Sequence, residues 1–143
     1  MRTPRHRAVR RLARAAALPL AALLALGACS GDQGVDPSTA DWPDAVSPSE
    51  ADGDFIVVWT AVAENADDPA LAAEVERLAD LGYDVEPWSP ACQSGAQEQL
   101  ASVTGFEEPV AVGVAFASEE DAGVFDTRDE GQTVSHTAGS WTC

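Results

Sequence analysis

Three cysteines, Cys29, Cys92 and Cys143, and two histidines, His6 and His136, are the thiol and imidazole groups with which this 143-residue chain could hold a transition metal or assist a nucleophile. A zinc site needs three or four His or Cys ligands held close together, and the chain does not supply them. A Ser-His-Asp triad is arithmetically possible, but the sequence has no Gly-x-Ser-x-Gly elbow to present the serine. The acid pairs Glu107-Glu108 and Glu119-Glu120 are adjacent in sequence. Glycoside hydrolysis needs two carboxyls facing one another across a substrate, which adjacency does not provide. No Asp-x-Asp-x-Asp-Gly loop with a distal glutamate marks a calcium site. The reading is a protein that is not an enzyme, with no metal and no cofactor, in which His136 is a polar strand residue.

Charge narrows the partners. All 24 acids lie beyond Cys29, where the only bases are Arg77 and Arg128 and there is no lysine. Phosphate binding requires clustered Lys and Arg, so nucleic acid and anionic headgroups are excluded as partners of this part. The opposite holds before Cys29: Arg2, Arg5, Arg7, Arg10, Arg11 and Arg14 carry the first 14 residues with no acid among them. Residues 15–28 then form an apolar stretch broken by Pro19. A membrane-spanning helix needs about 20 apolar residues, whereas a basic segment followed by a shorter apolar one has the form of an export signal.

Leu26-Gly27-Ala28-Cys29 closes that segment and resembles the lipobox of bacterial lipoproteins. In that family the cysteine thiol receives a diacylglycerol and the chain is cut just before it. The resemblance implies a signal peptide over 1–28 and lipidation at Cys29. It also implies a mature protein anchored in the membrane at its extracytoplasmic face. Acyl burial contributes about 0.8 kcal/mol per methylene, and two chains anchor stably where one does not. Export places the remaining pair, Cys92 and Cys143, in an oxidising compartment. One internal disulfide is available to them, closing a loop of about 50 residues and stabilising by roughly 2–4 kcal/mol. The alternatives are two free thiols, or Cys143 bonded to another chain.

These residues need elements to position them. Residues 29–52 hold Pro37, Pro43 and Pro48, many acids and little that is apolar. They read as a disordered tether with a reach of roughly 25–30 Å, with Trp42 its one aromatic. The folded unit is expected over 53–143. FIVVWTAV (55–62) is apolar on both faces, as a central strand is. Asp67-Asp68-Pro69 starts a helix with Leu71, Val75 and Leu78 in one stripe, and Gly82 ends it. Residues 83–88 alternate as a second strand, placed at an edge by Pro87. Ser94 to Gln97 fits a capping box before a short helix carrying Ala96, Leu100 and Val103, with Cys92 just ahead of it. PVAVGVAF (109–116) alternates valine with Ala111, Gly113 and Ala115. Ser118 then caps a third helix with Ala122 and Phe125 inward, and residues 132–143 end the chain as a polar edge strand.

That order predicts an α+β fold: a ferredoxin-like split βαβ sandwich, with a four-stranded, mostly antiparallel sheet, two main helices on one face and one inserted short helix. In such a sheet the second and fourth strands lie at opposite edges. A Cys92–Cys143 bond needs Cα atoms within about 7 Å, so either the inserted segment crosses the sheet and covers one face, or the strand order differs from this one.

Val57 to Thr60, Leu81-Gly82-Tyr83 and VAVGVAFASEEDA (110–122) together resemble the SPOR domains of bacterial cell-envelope proteins. Those bind peptidoglycan glycan stripped of stem peptides on the open face of the sheet. The resemblance implies the same ligand here, with Trp59, Trp88 and Trp141 as aromatic platforms. Trp59, inside its apolar run, equally fits a core position. The other reading is a non-catalytic protein-interaction or scaffold lipoprotein of the same fold, adding a partner strand at the 133–142 edge.

Overall fold

The computed structural model describes residues 36–143; the expected signal peptide over 1–28, Cys29 and the start of the expected tether lie outside the described residues. The first strand, β1 (Asp54–Ala63), is central. It pairs antiparallel with β2 (Val110–Phe116) on one side and with β3 (Ser135–Ser140) on the other, giving the order β2-β1-β3. The helices are α1 (Pro69–Asp80), α2 (Ala96–Thr104) and α3 (Glu119–Arg128).

The architecture is α+β, but the sheet has three strands rather than four. Residues 83–88 do not form a strand, and only Trp88 pairs, antiparallel, with Ala111 on the outer edge of β2. The reason lies in the flanks: Pro87 has no N–H to give a ladder, and Pro90 turns the chain into a short 3-10 segment, Pro90–Cys92. The helices also occupy both faces instead of one. Leu71 and Leu78 of α1 and Ala122 and Phe125 of α3 pack on Val58, Val112, Val114 and Phe116. On the opposite face Ala96 and Leu100 of α2 cover Phe55, Val57, Trp59, Ala111 and Ala115. A strand apolar on both faces must be covered on both.

A bulge keeps β1 in phase with these two layers. The register shifts between Trp59↔Gly113 and Ala61↔Val112, leaving Thr60 as the extra residue. After it, Ala63 joins the α1/α3 layer and Val62 the α2 layer.

Local chemistry sets the helix ends. Asp68 accepts from the Ala70 N–H, and Pro69 follows at the first helical position. Gly82, at φ +96°, closes α1: the Tyr83 N–H donates to Leu78 O and the Gly82 N–H to Ala79 O. Ser118 caps α3 by accepting from the Asp121 N–H. The capping box expected at Ser94 does not form. The cap of α2 is Gly95 at φ +79°, and the Ser94 hydroxyl accepts from the Ser140 N–H on β3 instead. Val103 is 58% exposed rather than inward.

Arg77 ties α1 to the end of α3. It donates to both oxygens of Glu74 and of Asp129, with N···O distances of 2.6–3.0 Å. Hydrogen bonds to Glu74 and then Asp129 raise its pKa further above the ordinary arginine value. Burial alone would push the Glu74 carboxyl up, but hydrogen bonds from Arg77 and Thr60 and the Arg77 charge hold it below its ordinary value.

The folded unit begins before residue 53. Trp42 packs edge-on against Tyr83 and tilted against Phe125, at centroid distances of 6.2 and 6.0 Å, with the Arg128 guanidinium 4.5 Å from its ring centroid. Tyr83 Oη donates to Pro43 O at 2.9 Å, and the Val46 N–H donates to Ala115 O at 2.8 Å. The part of the expected tether from Trp42 to Val46 is therefore a docked arm, because an aromatic and a strand-edge donor both find partners on the domain.

Candidate functional site

Cys92 and Cys143 are joined, with Cα atoms 5.0 Å apart. The route to that bond shapes the molecule. From Trp88, at the β2 edge, the chain crosses the α2-side face of the sheet to Gln93, which bridges to Trp141 beyond β3. The crossing is held from below. The Gln93 side-chain amide donates to Phe55 O at 3.0 Å, Thr137 Oγ1 donates to Gln93 Oε1, and the Trp59 indole donates to Thr137 Oγ1 at 2.8 Å. Gln93 is almost fully buried, and every partner it needs is present.

The three candidate platforms come together, but not on an open face. Trp59 is fully buried and has no face to offer a ligand. Trp88 packs against it at 4.6 Å between centroids with the planes tilted by 42°, and Trp141 packs against Trp88 at 5.5 Å, tilted by 46°. Only Trp88 and Trp141, both partly buried, reach a cavity. The face on which the SPOR resemblance puts a glycan lies under α2 and the crossing segment.

The polar edge of β3 is occupied on either side of Ala138. The Ser94 N–H donates to Ser140 O and the Thr142 N–H to Cys92 O, while Gln99 Nε2 donates to His136 O at 2.7 Å. Strand addition at 133–142 would have to displace these bonds.

Nothing in the sequence pattern pointed to a groove of about 720 Å³ along the outer edge of β2. One wall is the arm, with Trp42 and Val46; the other is the loop after α1, with Tyr83 and Val85. Gly113 and Ala115 form part of the lining, and Trp88 and Trp141 also reach it. Gly113 is required where it sits. A Cβ there would lie 2.6 Å from Val58 O and 2.9 Å from Val57 Cγ1. The nearest thing to a signal was Trp42, an aromatic in a stretch otherwise small and polar.

Asp44, Asp84 and Glu86 line the groove and are exposed. Among the described residues none of the three has an ion-pair partner. Of the two arginines of the described part, Arg77 is paired with Glu74 and Asp129, while Arg128 lies over Trp42 on the arm that walls the groove. Tyr83 is buried enough for its phenol to be pushed up to about 12, with nearby Asp44 and Asp129 adding to the effect of burial and Arg128 opposing it.

No protein-family model, curated protein or solved structure matches the chain. The groove must be read from its own chemistry. His136 lies away from it, beside a smaller hollow with Ile56 and Ala122, where its Nε2 is 3.4 Å from Asp126 Oδ1. Asp126 accepts from Thr133 Oγ1 at 2.6 Å, so this is a polar link between α3 and the start of β3. Among the described residues no group of three His, Cys, Asp or Glu side chains is placed to hold a metal ion.

Proposed function

We propose that this chain is an exported lipoprotein, anchored through Cys29 at the extracytoplasmic face of a bacterial membrane, whose folded unit is a non-catalytic binding module. The observation that carries the binding reading is the β2-edge groove, where aromatic and apolar side chains alternate with polar ones and three carboxylates have no ion-pair partner. The form suits a protein-interaction lipoprotein better than glycan binding on the sheet face. In architecture we read a ferredoxin-like sandwich whose second strand is reduced to the Trp88–Ala111 pair. Adding that pair outside β2 gives the edge-to-edge order such a sandwich has.

Two measurements test this. A labelled fatty acid fed to cells should be incorporated into the protein and Cys29→Ala should abolish the label; an unlabelled parent, or equal labelling of the variant, defeats the anchor. A photo-crosslinking residue at Asp84, in the groove, should give a discrete adduct in intact cells, while the same residue at Val103, exposed on α2, should not. Adducts from both positions, or from neither, defeat the groove.

A second reading has its own support in Trp88 and Trp141, whose rings reach the groove and suit a sugar face. Pelleting of the protein with purified cell-wall sacculi, lost in Trp88→Ala, would favour glycan in the groove.

A further inference from the structure

We propose that the groove binds an extended, cationic polypeptide segment by adding it as a short strand to β2, with Gly113 as the pairing residue; this rests on the reading of the groove as the binding site. In an antiparallel strand successive residues direct N–H and C=O alternately to the two sides. Ala111 faces outward, since it exchanges both bonds with Trp88 at 2.9 and 3.0 Å. Ala115 faces outward too, since its carbonyl accepts from Val46. Gly113 lies between them and shares their direction, so its N–H and C=O open into the groove that it lines. The outer edge of β2 is thus paired at each end and open in the middle.

An open strand edge is what one extended backbone offers another. From Ala111 to Ala115 the edge runs about 13 Å at roughly 3.3 Å per residue, room for about three residues of a visiting chain. Gly113 has no side chain and Ala115 a small one, so the approach is not blocked. Trp88, Val85 and Val46 give apolar walls for one side chain of the visitor. Asp44, Asp84 and Glu86 meet its flanking charges; none of the three is ion-paired, and they outnumber the one arginine near the groove, Arg128 over Trp42, so the balance favours cations. A second copy of the part beyond Cys29 is a poor occupant on the same ground, because it carries 24 acids against two arginines.

The test uses the full chain in neutral detergent and three five-residue peptides with blocked ends. One alternates lysine and valine, one alternates glutamate and valine, and one repeats the lysine peptide with its central amide N-methylated. The readouts are the Gly113 amide resonance and tryptophan fluorescence. The lysine peptide should shift the Gly113 amide and bind more weakly as salt rises. The N-methylated form should lose at least about tenfold in affinity, a difference of about 1.4 kcal/mol, and the glutamate peptide should not bind. Asp44→Asn with Asp84→Asn and Glu86→Gln, all at exposed sites, should weaken the lysine peptide about tenfold with melting temperature unchanged. Equal binding of the N-methylated peptide, or binding that leaves Gly113 unmoved, overturns strand addition. If the peptides fail but chitin oligosaccharides perturb Trp88 or Trp141, the groove stands as a binding site and the peptide class is wrong. If neither peptide nor sugar perturbs any groove residue, the groove reading itself falls.

Discussion

At Gly113 one missing side chain serves two purposes. It lets β2 lie close against β1 opposite Trp59, and it leaves the outer edge open to the groove. The alternation of Val110, Val112 and Val114 with small residues was legible in the sequence, and so was its implication of a bare stripe. What filled that stripe was not, because Trp59 sits in a run apolar on both faces and its direction depends on the register of β1 against β2. Gly113→Ala tests the packing half of this account. The added carbon would meet backbone at Val58 O and the Val57 side chain, and backbone cannot step aside cheaply. The substitution is expected to cost about 1–3 kcal/mol as overpacking, read as a lower urea midpoint with an unchanged slope. A melting temperature equal to that of the parent would mean that β2 shifts freely at this point.

Among the elements, those with strong local signals formed where the sequence placed them. Asp68-Pro69 and Gly82 bound α1, Ser118 starts α3, and the valine alternation is β2. The elements that departed did so for tertiary reasons. Residues 83–88 have a strand pattern but lie between the Gly82 turn and Pro87, and the space beside β2 is shared with an arm that the pattern could not place. The bulge at Thr60 is likewise invisible in composition, since Trp59, Thr60 and Ala61 all suit a strand. The segment from Trp88 to Gln93 has no pattern of its own, and the disulfide and the Gln93 hydrogen bonds determine where it goes. Removing the bond with Cys92→Ser and Cys143→Ser together should therefore act on more than the loop. Closing a separation of 51 residues stabilises by about 4 kcal/mol in the chain-entropy model. The loss should appear in urea unfolding, with a red shift of tryptophan emission in the native baseline as Trp141 loosens from Trp88. A midpoint within error of the parent would show that Gln93 and Ser94 hold the crossing without the bond.

For the molecule as a whole, the central question is where the tether ends and the folded unit begins, because that decides whether the groove has one wall or two. Composition placed the boundary near residue 53, since prolines and acids dominate 30–52 and Trp42, the one aromatic there, does not by itself say whether it docks on the domain or on a partner. The structure places residues 42–46 on the domain through Trp42, Pro43 and Val46. Tyr83 reports on this directly because it is the only tyrosine and its hydroxyl donates to Pro43 O. Its phenol is pushed up to about 12, with burial as the first cause, against about 10 for a free tyrosine. The folded state thus favours the neutral phenol. The stability this confers is complete below pH 10 and is lost as pH rises from about 10 through about 12. Phenolate absorbance of the native protein should titrate close to 12. In Trp42→Ala the arm loses its packing on Tyr83 and Phe125 and the seat of Arg128, water reaches the phenol, and the midpoint should fall toward 10 while far-ultraviolet circular dichroism stays native. Titration near 10 in the parent chain, or an unchanged midpoint in Trp42→Ala, would detach the arm from the domain and leave the groove with a single wall.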